Sequence, residues 1–219
     1  MRDPNFNCNN PGLNKNNLTL DNSPVDFRTE LDDETKIELI EKNFREIMEV
    51  LGLDLEDESL KGTPRRVAKM YVKEIFSGLN PLNKPEVTVF RNNYNYKRII
   101  IEKDITLYST CEHHFVPITG KAHVAYIPAD KVIGLSKLNR IVQFYSKKPQ
   151  LQERLTEEIA REMMNILETE DVAVLIEADH LCVSSRGVND VNSTTVTSSF
   201  NGRFNEKEIS GEFLNSIKK

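Results

Sequence analysis

The chain of 219 residues carries 29% charged and 38% apolar side chains, no Trp and a formal net charge of −5, the balance of one soluble globular domain with appendages. The acidic balance argues against a dedicated nucleic-acid binder, whose basic footprint would dominate, and no apolar run approaches the roughly 20 residues of a membrane helix. No basic-then-apolar signal pattern stands at the start, so the expected location is cytoplasmic.

Residues 1–31 are rich in Asn, Pro and Gly, show no apolar period and read as a flexible tail. From Asp32 or Asp33, either of which can cap, Ile37, Ile40, Phe44, Ile47, Met48 and Leu51 recur at helical spacing, and Gly52 closes this amphipathic helix. Thr63-Pro64 opens a second helix, with Thr as cap and Pro at the first helical position, through Val67, Met70, Tyr71 and Ile75 to Ser77-Gly78. Arg65 and Arg66 stand in its first turn, where a cation opposes the helix dipole by about a few tenths of a kcal/mol. They either face an anion or are simply solvated. Residues 80–95 read as connection.

Residues 99–108 are β-branched and apolar enough for a strand, interrupted at Lys103-Asp104. A second strand over 121–127 is its expected antiparallel neighbour, joined across a loop that holds Cys111, Pro117 and Gly120. His123, inside this second strand, reads as a packed or surface residue and not a ligand. Gly134-Leu135-Ser136 opens a helix through Tyr145, with Ser136 as N-cap. Lys137 and Arg140 share one face near its start, which is either a phosphate cradle or an ordinary exposed helix end. After Pro149 a long helix covers 151–167, with Gln152 and Glu153 in its first turn. Residues 171–183 read as a third strand, which would set His180 and Cys182 on one face. Arg186-Gly187 turns the chain, 194–200 reads as a fourth strand and 206–219 as a short helix.

Chemistry concentrates in two short segments, Cys111-Glu112-His113-His114 and His180-Leu181-Cys182. The chain has only four His and three Cys, and five of these residues fall there. Cys-x-x-His paired with a distant His-x-Cys is a metal-binding pattern. Three Cys, one of them in the tail, do not make a disulfide framework, which leaves thiolate ligation for two. Cys8 has no role in this reading.

The string Ser109-Thr110-Cys111-Glu112-His113-His114-Phe115, followed in order by Gly134-Leu135-Ser136-Lys137, Gln152-Glu153-Arg154-Leu155, His180-Leu181-Cys182 and Arg186-Gly187, resembles GTP cyclohydrolase I. The likeness also takes in Thr63-Pro64 and Arg66-Val67-Ala68-Lys69-Met70, and runs from about residue 35 to the end. It implies an α+β tunnelling fold: a four-stranded antiparallel sheet with two helices packed on it, after an N-terminal helical region and connection over 32–96, with the catalytic domain at 97–219. Sheets of several subunits would join into a barrel, as a homodecamer of two pentamers with active sites between subunits.

The implied reaction is hydrolytic opening of the guanine imidazole ring of GTP, releasing formate and giving 7,8-dihydroneopterin triphosphate. The resemblance assigns zinc to Cys111, His114 and Cys182, with a fourth position for water, and acid–base work to His113 and His180. It gives the triphosphate to Ser136, Lys137, Arg140 and Arg186, with Arg66 from an adjacent subunit, and the guanine edge to Glu153 aided by Gln152. Glu112 is expected to orient an imidazole or the loop. Two other classes carry distinct marks: a nitrile reductase of related fold would need no zinc, and a structural zinc module would close its site with His113 or His180 as fourth ligand.

Overall fold

The computed structural model describes residues 31–218; the expected tail up to residue 30, with Cys8, lies outside them. Helix α1 (Asp33–Val50) starts where Asp32, not Asp33, caps it, Oδ1 accepting from the Thr35 N–H at 2.8 Å. After Leu51 the backbone of Gly52 turns left-handed. Helix α2 (Thr63–Met70) has Gly62 in the cap position, so Thr63 is its first residue and not its cap, and one π turn (Tyr71–Ile75) continues it. The two first-turn arginines part company. Arg65 forms ion pairs with Glu34 and Glu41 of α1, which offsets its misplacement against the dipole. Arg66 donates to the Ser59 carbonyl and the Thr63 hydroxyl.

The sequence expected for connection at 80–95 contains β1 (Val89–Arg91), paired antiparallel with β4 (Lys131–Ile133). The main sheet holds β2 (Ile100–Cys111), β3 (Pro117–Tyr126), β6 (Val172–His180) and β7 (Thr195–Phe200), each antiparallel to the next. The chain is therefore α+β. A fifth member, β5 (Pro149–Gln150), pairs parallel with Thr110 and Cys111 on the outer edge of β2, so Pro149 joins the sheet where the sequence suggested only a break. The interruption at Lys103-Asp104 is a β-bulge, with the register slipping between Glu102 and Ile105 and Asp104 at φ +59°.

Three expected boundaries move. β2 runs on to Cys111 and β3 begins at Pro117, so Cys111 ends a strand and Gly120 lies inside one. β6 stops at His180, and Cys182 sits on the one-turn helix α5 (Leu181–Ser184). His180 and Cys182 are thus not on one face of a common strand. Helix α3 (Leu135–Ser146) is preceded by Gly134 in the cap position, so Ser136 lies inside the first turn.

Helices α3 and α4 (Gln152–Leu167) cover one face of the sheet, where Ile118, Val124, Ile141, Ile159, Met163 and Val174 form the main core. The other face is covered as well. Helix α6 (Lys207–Ile217) brings Phe213 against Phe204, Ala125, Ala173 and Leu175. β6 is buried on both sides in consequence, which explains its unbroken apolar run.

Gly120 of β3 sits opposite Ala178 of β6. A Cβ there would lie 2.2 Å from the Glu177 carbonyl oxygen and 2.5 Å from the Ala178 Cα. Both are backbone atoms and cannot swing aside. Gly120→Ala is expected to force the strands apart at a cost of about 3 kcal/mol, read as a lowered midpoint in denaturant; an unshifted midpoint would show that this sheet end is not close-packed.

His123 is packed, as its position in the strand suggested, at 5% exposure. Its Nδ1 accepts the N–H of Asp104 at the bulge, 3.2 Å away. Burial pushes its pKa below the ordinary 6.5, with Asp104 and Glu177 opposing that shift and Lys121 and Lys103 adding to it. A His that binds protons more weakly when folded costs nothing above pH 6.5 and destabilises as the pH drops below it, because the unfolded chain takes the proton first. His123→Gln, whose amide oxygen can take the same N–H, should flatten the fall in stability below that pH.

Candidate active site and metal centre

β2 delivers Cys111 at its last residue, where the Cys111 N–H bonds to the Val116 carbonyl at 2.9 Å. The chain then makes one tight turn, closed by the Phe115 N–H on the Cys111 carbonyl at 2.9 Å. Phe115 takes φ +54° to do so, an uncommon conformation for a non-glycine residue, and its ring lies edge-on to Phe76. This turn brings His114 back beside Cys111, with Nδ1 3.8 Å from Sγ. From the other side of β3, α5 supplies Cys182. The ligand-capable atoms of Cys111, His114 and Cys182 all lie within 4.8 Å of one another, so the trio could hold a metal ion.

The surroundings favour the thiol form of Cys182 in the metal-free protein. Burial pushes the Cys182 pKa up, the Cys111 thiol beside it adds to the shift, and Arg186 opposes it. Metal uptake then releases protons and strengthens as the pH rises. Arg186 also reaches the trio directly, its Nη1 3.0 Å from His114 Nε2.

His113 points away from the trio, its side chain 62% exposed and its Nε2 3.9 Å from Glu112 Oε1. His180 is held by α4. Its Nε2 lies 2.7 Å from Gln152 Oε1, while the Gln152 amide nitrogen donates to the carbonyls of Ile176 and Thr195 and to the Thr197 hydroxyl. Those acceptors fix the amide orientation, so Oε1 accepts and His180 Nε2 carries the proton, leaving Nδ1 basic. Burial lowers the pKa of His180, with Glu153 and Asp179 opposing. Gln152 is 2% exposed and its amide is committed within the protein.

Glu153 is exposed beside this pair. Ser136 and Arg140 are exposed on α3, and Lys137 donates to the Glu86 carbonyl at 2.8 Å. Arg66 belongs to the N-terminal helices, engaged locally as described. Missed in the sequence was Arg154, which pairs with Glu112 from 42 residues away. The quoted string contains it, but nothing local to the sequence marks its partner.

A family model described as GTP cyclohydrolase I matches residues 40–218. The chain belongs to the GTP cyclohydrolase I family. Every residue expected for the site, from Arg66 to Arg186, falls inside that match. GTP cyclohydrolase 1 of Flavobacterium johnsoniae is 57% identical over 189 residues, 86% of this chain and 85% of that protein. GTP cyclohydrolase 1 of Enterobacter sp. is 54% identical over 86% of each chain. The GTP cyclohydrolase 1 of Erwinia tasmaniensis is 53% identical over 90% of this chain and 88% of its own. Among the described residues, no helix is long and apolar enough to cross a membrane.

Proposed function

We propose that this chain is a zinc-dependent GTP cyclohydrolase I, opening the imidazole ring of GTP, releasing formate and forming 7,8-dihydroneopterin triphosphate. The observation that carries this reading is the convergence of Cys111, His114 and Cys182 to within 4.8 Å in a chain of this family. A tetrahedral zinc with bonds of ~2.3 Å to sulfur and ~2.0 Å to nitrogen spaces an S,N pair by about 3.5 Å. The 3.8 Å between Cys111 Sγ and His114 Nδ1 is within a small adjustment of that. Two sulfurs and an imidazole suit zinc, and three protein ligands leave one position for water. Bound there, zinc supplies Lewis acidity and lowers the pKa of that water.

The protein's own groups do the rest. Water adds at C8 of guanine, the C8–N9 bond breaks, and hydrolysis of the resulting formamide frees formate. Each stage moves protons on or off ring nitrogens. His180, neutral and tethered through Nε2, takes a proton at Nδ1; exposed His113 exchanges protons on the open side. An imidazole can both give and accept a proton near neutral pH. Glu153 accepts from guanine N1–H and the exocyclic amine. Lys137, Arg140 and Arg186, with the Ser136 hydroxyl, meet the triphosphate, whose charge the acidic chain must answer locally. Arg66 reaches a neighbouring subunit's site.

This reading takes the four antiparallel strands with α3 and α4 as the tunnelling fold of a catalytic domain over 97–219, with 32–96 as its helical extension. β7 ends the sheet as an edge, and edges joined between copies would close a barrel in a cytoplasmic homodecamer. Incubation with GTP and zinc, followed by oxidation, should yield a fluorescent pterin and one formate per GTP. Zinc uptake without pterin would sink the catalytic reading.

A further inference from the structure

The turn that carries Cys111 and His114 and the segment that carries Cys182 are both gripped by the start of α4. Gln152 holds His180, two residues before Cys182, at 2.7 Å. Arg154, on the same helical turn, holds the other half. Its Nη2 donates to Glu112 Oε2, and its Nε donates to Gln150 Oε1 at 3.0 Å. Glu112 stands in the chain between the two ligands of that half. Its own N–H bonds to the Gln150 carbonyl at 3.1 Å, so the turn is fastened by backbone and side chain to the same two partners.

Beneath this pair the contacts continue inward. The Gln150 amide nitrogen donates to Glu158 Oε2 at 2.8 Å and to the Tyr145 carbonyl at 3.1 Å. Lys148 Nζ pairs with Glu158 Oε2 at 3.0 Å, both side chains 7% exposed. Two cations and two anions thus alternate from the core to the turn, Lys148, Glu158, Arg154 and Glu112, with the Gln150 amide bridging Glu158 and Arg154. In such a chain at low exposure the charges answer one another in turn, and losing a member leaves its neighbour unpaired.

We infer that Arg154 is a positioning residue which, through Glu112, fixes the Cys111–His114 turn at ligating distance from Cys182. The inference rests on the metal-site part of the proposed function and deepens it. Arg154 touches neither metal nor substrate; it acts by preorganising the donor set, as outer partners of metal ligands do.

Signs separate positioning from simple electrostatics. Removing a positive charge near a cation site should tighten zinc if charge alone mattered, and removing a negative one should loosen it. Positioning predicts loss in both cases. Zinc alone, titrated into the full-length apo protein against a chromophoric chelator, should bind ~10- to 100-fold more weakly to Arg154→Met and to Glu112→Gln. The double variant should be no worse than the poorer single, and Arg154→Lys should recover part of the loss.

Tyr145→Phe, which removes the hydroxyl bond to Glu162 and keeps the ring, should leave zinc affinity unchanged and serves to exclude a general effect of loosened helix packing. Wild-type affinity in either single variant, tighter zinc in Arg154→Met, losses that multiply in the double, or an equal loss in Tyr145→Phe would each overturn the inference. Should Arg154→Met fail to fold, Glu112→Gln and Arg154→Lys decide it on the same scale. Turnover of GTP by the wild type is read separately: zinc bound without turnover refutes the catalytic reading and leaves the positioning result standing.

Discussion

Cys182→Ser is expected to lose stoichiometric zinc and GTP turnover together, whereas His113→Ala should keep the zinc and lose ~10²–10⁴-fold in turnover, the range for a general acid–base group. The two variants differ in where the side chains sit. Cys182 is one of three donors that converge within 4.8 Å, and a serine hydroxyl in its place stays protonated at neutral pH and is a poor ligand. His113 neighbours a donor in sequence but its side chain is 62% exposed and turned towards Glu112. Metal analysis and pterin fluorescence on the same samples check both. If His113→Ala came out metal-free, the roles of the two adjacent imidazoles would have to be exchanged.

Gln152→Leu should cost about 3 kcal/mol in stability, because it strands one buried and two part-buried acceptors that the leucine cannot satisfy. Those acceptors are the carbonyl of Ile176 on β6 and the Thr195 carbonyl and Thr197 hydroxyl on β7. The same change frees the His180 ring, whose Nε2 loses its partner at 2.7 Å. Turnover should then fall by more than the loss of folded protein explains, while the KM for GTP stays close to that of the wild type, since Gln152 is buried and its amide is held within the protein. A large rise in KM with unchanged kcat would return Gln152 to the guanine pocket.

Local spacing carried much of this into the sequence. Cys111 and His114 are three residues apart, and one turn brings them together; Asp32, the helical period of α1 and the interruption at Lys103-Asp104 were likewise visible because each depends on near neighbours. Burial on both faces misled the strand readings. β6 is buried on both faces only over its first five residues; apolar Leu181 and Val183 prolong the pattern past His180, but the chain turns helical at Leu181 through bonds such as that of Ser185 Oγ to the Leu181 carbonyl. The second covering layer, α6, was legible as a helix but not as the lid of a second core. The contacts of Gln152 were hidden for the opposite reason. A polar residue at a helix start reads as ordinary helix-start chemistry, and only the tertiary structure shows three strand acceptors at its amide.

The order of strands gives the metal site one more property. β2 and β6 never bond to each other; β3 runs between them. An ion held by Cys111, His114 and Cys182 therefore acts as a cross-tie over the end of β3, closing a loop of about 70 residues, for which chain-entropy estimates for a covalent link give about 4 kcal/mol. Chelation should accordingly lower the thermal midpoint as well as activity, and the first part of the sheet to open should be the end where the ion was bound.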